Sequence, residues 1–223
     1  MAVVTPVYGN APTVEELTRR VATALDRAPV RWSLRFVVDA SPDDSLAVVR
    51  GLAATDPRLS FTSLMANVGQ NRALLTGLAA EEDGGADAWV CLDADLQDPP
   101  EAMPALLARL AQGDVGVVFA GRRGTYESRS RLVGGMVHRA AMARLTGLPA
   151  DAGAFLAMDR AARDTLLRLS PPGIVAGIGA ARIPATSVPV VRAPRPSGRS
   201  AWTAAARLRQ SGRTLAWAWR ARA

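Results

Sequence analysis

Along the first 121 positions, two kinds of block alternate. Short apolar runs rich in branched residues read as strands: AVVTPVY (2–8), LRFVVD (34–39), LSFTSLM (59–65), DAWVCLD (87–93) and VGVVFAG (115–121). Longer segments with helical spacing lie between them. In TVEELTRRVATALDRA (13–28), Leu17, Val21 and Leu25 fall on one face, and Thr13 and Glu16 have the spacing of a capping box. DDSLAVVRGLAAT (43–55), QNRALLTGLAAEE (70–82) and PEAMPALLARLAQG (100–113) follow the same pattern; Asp43 or Asp44 is placed to cap the first, and Gly113 to stop the last. Strand and helix in strict alternation predict an α/β fold, a mostly parallel sheet sandwiched by helices. Ligands of such sheets bind beyond the carboxyl ends of the strands. Three of the expected strand ends carry polar groups: Tyr8-Gly9-Asn10, Asp39 with Ser41, and Asp93 with Asp95.

The pattern changes after residue 121. GRRGTYESRSRLVGG is rich in arginine and turn residues, which predicts a loop leading into a helix over about 130–146. No linker is evident before Pro194, so the expected organisation is one domain over 1–193 and a basic extension over 194–223. That extension carries Trp202, Trp217 and Trp219 and no acidic residue, and reads as a Pro/Gly-rich loop followed by a basic helix.

Composition narrows the classes. With 223 residues, 49% hydrophobic and 21% charged, the chain can bury a core and is not a disordered sequence. A net charge of +7 favours an anionic partner: phosphorylated small molecules, an anionic membrane surface or nucleic acid. No nucleic-acid motif accompanies the arginines, so that partner is not expected. Cys91 is the sole cysteine, which excludes an intrachain disulfide and a multi-thiolate metal site and suits a reducing cytosol. MAVVTPVYGN lacks the basic and apolar regions of a secretory signal, and no uncharged apolar run reaches 18 residues, so no leader and no membrane span are expected.

The richest chemistry lies in CLDADLQDPPE (91–101). Asp93 and Asp95 are two residues apart, so at an extended strand end they point the same way. Two adjacent carboxylates repel unless a cation intervenes. A hard divalent ion, Mg²⁺ or Mn²⁺, accepts one or two protein carboxylates and completes its shell with phosphate oxygens and water. Gln97 can add an amide oxygen. The alternative is a solvated turn in which Asp98 caps the helix that Pro99 and Pro100 begin.

The string DADLQDPPE after an apolar strand resembles the family-2, GT-A-type glycosyltransferases, and within them the polyprenyl-phosphate (dolichyl-phosphate-like) hexosyltransferases. Further segments are similar to that family in order: VVTPVYGN to V-x-P-x-Y-N-E, VVDASPDDS to V-D-D-x-S-x-D-x-S, and ANVGQNRALLTGL to N-x-G-K-x-x-A-x-x-x-G-L. GRRGTYESRSR is similar to G-x-R with a basic stretch, DAGAFLAMDR to D-x-G-D-F-R-L-M-D-R, and RPSGRSAW to R-x-x-G-x-S-x-Y. The resemblance implies a GT-A-like, Rossmann-like domain and metal-dependent inverting transfer of a hexose from a UDP- or GDP-sugar to polyprenyl phosphate. It implies that Pro6, Tyr8, Asp39 and Asn67 face the nucleotide, with Asp39 accepting from the base. Asp93 would serve ribose or metal, and Asp95 and Gln97 the metal. Arg122 and Arg131 would grip phosphates; Asp151 is placed either to approach the acceptor or to cap the segment that follows it. The lipid acceptor implies a peripheral, cytoplasmic place at the inner face of the cell membrane. The basic tail reads either as an interfacial helix with its tryptophans at headgroup depth and its arginines on anionic lipid, or as a helix that covers core surface with its arginines solvated.

The chain departs from the pattern at several points. Gly9-Asn10 stands for Asn-Glu, Val38 for the first aspartate of D-D, Gln70 for lysine, Ala154 and Leu156 for the Asp and Arg of D-F-R, and Gly135 for a serine of some relatives. These keep two alternatives open: the same chemistry on a soluble acceptor, or a non-catalytic nucleotide-binding relic or scaffold. Among single residues, His138 reads as packing or surface, Cys91 as a small buried hydrophobe, and Asp98 as a helix cap.

Overall fold

The computed structural model describes residues 1–81, 85–123, 147–193 and Trp217. In chain order the described elements are β1 (Ala2–Val7), α1 (Ala11–Leu25), β2 (Ser33–Val38), α2 (Ser45–Thr55), β3 (Leu59–Ser63), α3 (Gln70–Ala80) and β4 (Ala88–Cys91). A 3₁₀ turn (Pro100–Ala102) then runs into α4 (Met103–Leu110), followed by β5 (Val117–Arg123), β6 (Leu156–Asp159), α5 (Arg160–Leu169), α6 (Ile174–Ala180) and β7 (Ala185–Val191). The strands form one sheet in the order β3-β2-β1-β4-β6-β5-β7. All neighbours pair in parallel except β6, which runs antiparallel between β4 and β5. The expected α/β, mostly parallel, helix-sandwiched architecture is therefore the observed one.

Alternation along the strands sorts the core into two layers. Val3 and Val7 of β1, Phe36 and Val38 of β2 and Val90 of β4 face α1, α2 and α4, where Val14, Leu17, Val21, Val49 and Leu106 meet them. Val4, Val37, Trp89 and Cys91 face the other side, covered by Leu74 and Leu78 of α3, Leu166 of α5 and Ile178 of α6. Central strands buried on both faces read as continuous apolar runs for this reason. Gly77 sets the distance of α3 from the sheet: a Cβ there would lie 2.7 Å from Val37 Cγ2 and closer still to Val4 Cγ1.

Local details differ from expectation. α1 begins at Ala11, with Asn10 preceding it and a proline in its first turn, so Thr13 and Glu16 form no capping box. Thr13 Oγ1 instead donates to the carbonyls of Asn10 and Ala94, and Glu16 pairs with Arg19 on the surface. Asp98 caps nothing: Pro99 precedes the 3₁₀ turn with no side-chain cap. The helix expected over 130–146, with Arg131, Gly135 and His138, and the extension apart from Trp217 lie outside the described residues.

Candidate active site

β1 lies between β2 and β4 in the sheet, so the strand order reverses its sense at the β1/β4 boundary. A doubly wound sheet opens its ligand crevice at such a boundary, beyond the carboxyl ends. Parallel pairing carries the ends of β1, β2, β3 and β4 to one edge. Because β6 is antiparallel to both β4 and β5, the ends of β5 and β7 reach that edge too, and so does the segment entering β6. Tyr8, Asp39, Asn67, Asp93, Asp95, Gln97, the backbone of Arg122 and Asp151 therefore share one rim of the molecule.

The loop after β1 is tied to the loop after β2 through Asp43. Its carboxylate accepts from Ser41 Oγ (2.6 Å), Ser45 Oγ (2.6 Å), Ser45 N–H (3.2 Å) and Ala11 N–H (3.0 Å). The two serines pass the connection on, since Gly9 N–H donates to Ser41 Oγ and Asn10 N–H to Ser45 Oγ. Burial works against the charge of Asp43, but the hydroxyl and amide donors outweigh it and bring the carboxyl from its ordinary 3.8 to about 2. The S-x-D-x-S spacing of ASPDDS is thus a clamp on the backbone beside Tyr8. Gly9, at φ 71, makes the turn inside it.

Asp39 is buried, and its two oxygens accept from Val68 N–H (2.7 Å) and Gly69 N–H (2.8 Å). Asn67 Nδ2 reaches the Asp39 carbonyl at 3.4 Å. The carboxylate expected to read a base also holds the 67–69 turn, and Tyr8, Val68 and Asn67 are exposed around it.

The acidic loop is braced from three sides. Gln70, at the start of α3, donates its amide to Asp93 Oδ1. Asp95 Oδ1 accepts from the N–H of Gln97 (3.1 Å), and Thr13 Oγ1 fixes the Ala94 carbonyl at 2.7 Å. Leu96 adopts φ 61, an uncommon conformation for a leucine, and points a buried side chain into the core beneath the carboxylates. From the third side comes β7. Arg192 Nε donates to Asp98 Oδ1 (2.8 Å) and Nη2 to Oδ2 (3.4 Å), both side chains nearly buried, while Ala193 N–H donates to the Gln97 carbonyl (2.8 Å). Burial disfavours the Arg192 charge, but Asp98, Asp95 and Asp93 more than offset it, so its pKa stands above the ordinary arginine value.

Asp151 accepts from Ser187 Oγ of β7 (3.3 Å) and stands over Gly121, where a Cβ would come within 2.9 Å of its carboxyl carbon. That contact accounts for the glycine of GRR. Leu156, found where the resembling pattern has arginine, is fully buried in β6 against Cys91 and Phe119. Cys91 is buried as expected, and burial with the nearby Asp93 charge pushes its thiol up to about 12. The Arg122 side chain and Arg131 lie outside the described residues.

The donor chemistry of the loop fits a hard divalent cation. Two carboxylates and an amide oxygen belong to one short segment, held by hydrogen bonds from Gln70 and from the Gln97 amide. Among the described residues, no group of three His, Cys, Asp or Glu side chains could enclose a metal by itself. An ion here would need oxygens from a bound phosphate or water. Arg192 was missed by sequence reasoning because its partner Asp98 lies 94 residues earlier; the role of Asp43 was hidden in a serine-rich turn.

The family model for glycosyl transferase family 2 matches residues 2–162. An undecaprenyl-phosphate 4-deoxy-4-formamido-L-arabinose transferase of Salmonella choleraesuis is 32% identical over 210 residues, covering 91% of this chain and 62% of that protein. The uncharacterized glycosyltransferase YkcC of Bacillus subtilis is 29% identical over 214 residues, covering 89% of this chain and 62% of its own length. The chain thus spans about three fifths of these relatives. Among solved structures, the mannosyltransferase PcManGT of Pyrobaculum calidifontis, with GDP-Man and Mn²⁺, superposes over 98% of this chain and 64% of its own, with a TM-score of 0.67 at 24% identity. Glucosyl-3-phosphoglycerate synthase of Mycobacterium tuberculosis, with Mn²⁺, UDP and glucosyl-3-phosphoglycerate, covers 99% of this chain and 78% of its own, with a TM-score of 0.69 at 20% identity. The fold is that of the GT-A glycosyltransferases, and the chain belongs to glycosyl transferase family 2.

Proposed function

We propose that this chain binds a nucleotide-sugar in the β1/β4 crevice and transfers its hexose, with inversion, to a polyprenyl phosphate. The observation that carries the reading is the braced Asp93-Ala94-Asp95 loop at the sheet's switch point, facing the clamped turn that bears Tyr8. Tyr8 offers a ring to the base, Pro6 and Asn67 line its surroundings, and Asp39 acts through the 67–69 turn that it holds. Asp95, Gln97 and Asp93 would hold Mg²⁺ or Mn²⁺, which, when bound, offsets the charge that develops on the departing diphosphate. Arg122 and Arg131 would contribute guanidiniums for phosphate oxygens.

In the transfer, a phosphate oxygen of the acceptor attacks the anomeric carbon. The new C–O bond forms as the bond to the nucleoside diphosphate breaks, and the bonding pair leaves with the diphosphate. The acceptor oxygen is already ionised near neutral pH, so the residues contribute position and electrostatics more than proton abstraction. Asp151, above the end of β5, is assigned to the acceptor side. With a lipid acceptor, the basic tail would rest on the anionic inner leaflet. No helix among the described residues is long and apolar enough to cross a membrane.

Leu156 supports a second reading, the same transfer to a soluble acceptor. Its buried apolar side chain stands where the resembling pattern supplies an arginine, so that charge is absent.

Thermal unfolding with UDP, GDP and their sugars, with Mn²⁺ or with EDTA, tests the donor site. Ligand at 100 times its Kd adds about 2.7 kcal/mol, or roughly 5–10 °C in Tm for a chain of this size. A Mn²⁺-dependent shift with one nucleotide, lost in Asp95→Ala, is expected. No shift with any of them would overturn the reading. Flotation with anionic vesicles then separates the lipid from the soluble acceptor.

A further inference from the structure

We propose that Thr13 is a positioning residue of the donor site: its hydroxyl holds the peptide from which Asp95 projects, so that the first turn of α1 joins the nucleotide side of the crevice to the metal side. The inference rests on the donor-site reading above. It gives a role at the site to a residue that the sequence offers only as part of a capping box.

Burial alternates along the acidic loop. Ala94, Leu96 and Asp98 are buried, whereas Asp93, Asp95 and Gln97 reach solvent. Each buried residue has its own anchor. Leu96 packs in the core, Asp98 accepts from Arg192, and the Ala94 carbonyl accepts from Thr13 Oγ1 at 2.7 Å. Thr13 is 7% exposed and Ala94 3%, so water competes little for that last bond.

The hydroxyl has one proton and two acceptors within reach, Ala94 O at 2.7 Å and Asn10 O at 3.1 Å. The Asn10 carbonyl already accepts from the backbone N–H of Thr13 (2.8 Å) and of Val14 (3.1 Å). The proton therefore belongs to the shorter contact, with Ala94. The Ala94 carbonyl and the Asp95 N–H share one planar peptide, so fixing the oxygen fixes the plane that sets the direction of Asp95.

The same turn of α1 holds the opposite wall. Tyr8 N–H donates to Asn10 Oδ1, Asn10 N–H to Ser45 Oγ, and Ala11 N–H to Asp43. Residues 10, 11 and 13 thus tie the loop bearing Tyr8 to the loop bearing Asp95. A nucleotide read as stacking on Tyr8 and meeting a metal ion at Asp95 has to span that fixed separation. Loss of the hydroxyl would leave a buried carbonyl unpaired and free the Ala94–Asp95 peptide to turn, so the ion would meet a less ordered ligand.

Valine matches the shape of threonine without its hydroxyl, and serine keeps the hydroxyl. Two measurements on the full chain, T13V and T13S provide the test. In metal-free protein, hydrogen exchange read by mass spectrometry over residues 92–97 should be faster in T13V and unchanged in T13S. With Mn²⁺ titrated by EPR in the presence of UDP or GDP, T13V should need about three- to tenfold more Mn²⁺ for half-saturation, the worth of one hydrogen bond. T13S should titrate like the parent chain. If valine does not fold at this site, T13A replaces it with the same expected outcomes. A T13V that melts lower but exchanges and titrates like the parent would make Thr13 merely structural and overturn the proposal. So would a T13S as weak as T13V. A parent chain that binds no nucleotide with Mn²⁺ overturns the donor-site reading, while exchange over 92–97 still decides whether Thr13 holds the loop, which distinguishes the two failures.

Discussion

Asp43→Asn isolates a single charge in the clamp beneath Tyr8. The carboxyl falls from 3.8 to about 2 on folding, and each pKa step is about 1.36 kcal/mol, so the charged form contributes at most about 2.4 kcal/mol. The side chain is only partly buried, and solvent screening brings the expected figure to about 1 kcal/mol. Asparagine adds a further cost, because its NH₂ would meet donors that now converge on oxygen: Ser41, Ser45 and the Ala11 amide. We expect Asp43→Asn to lose about 1–2 kcal/mol at pH 7, a fall in Tm of roughly 3–6 °C. The folded pKa is the lower one, so the contribution is complete above the unfolded value near 3.8 and fades as pH drops toward 2. Urea unfolding of both proteins at pH 7 and pH 3 measures the gap, which should shrink by about half of its charge component at pH 3. A gap of the same size at both pH values, or none at pH 7, would refute the role assigned to the Asp43 charge.

Two further perturbations probe the frame that carries the site. Gly77→Ala inserts a methyl group against Val4 and Val37, and overpacking of that kind costs about 1–3 kcal/mol; chemical denaturation should show it, and an unchanged midpoint would mean α3 has room to move. Cys91, buried and with its thiol raised to about 12, should resist iodoacetamide at pH 8 in the folded protein and react fully in urea, which mass spectrometry reads directly.

The first half of the fold could be read because local pattern and tertiary role agree there. β1, β2 and β4 are buried on both faces and appear as apolar runs; α1 shows one apolar stripe because one face meets the sheet. The second half hides its elements. LAMD is a four-residue strand running on from the apolar Phe155, with no turn residue to mark its start, and nothing local tells that it inserts antiparallel between β4 and β5. α6, IVAGIGA, looks like a loop because its glycines suit close packing: a Cβ at Gly177 would lie 2.7 Å from Leu166. β7 contains Pro189 in pairing with Gly121, a combination that an edge strand tolerates and a central strand does not. At the site, carboxylates two residues apart were visible in the sequence. The partners that orient them were not, since Gln70 lies 23 residues from Asp93, Thr13 81 from Ala94, and Arg192 94 from Asp98. Asp39 was visible as a strand-end carboxylate; the two backbone amides it accepts from, 29 and 30 residues further on, were not.

Leu96 at φ 61 and Ala40 at φ 49 sit in the turns that leave β4 and β2, one within the acidic loop and one directly after Asp39. Each left-handed residue other than glycine costs folding roughly 1–2 kcal/mol. That expense belongs to folding and not to association. A loop free to sample conformations would give up about 1–2 kcal/mol of entropy for every residue that a ligand had to order. Two turns already fixed, one of them by a leucine anchored in the core, spare an incoming ligand that loss. The rim is therefore a preorganised surface, and its affinity should depend less on induced ordering than on the charges and rings it already presents.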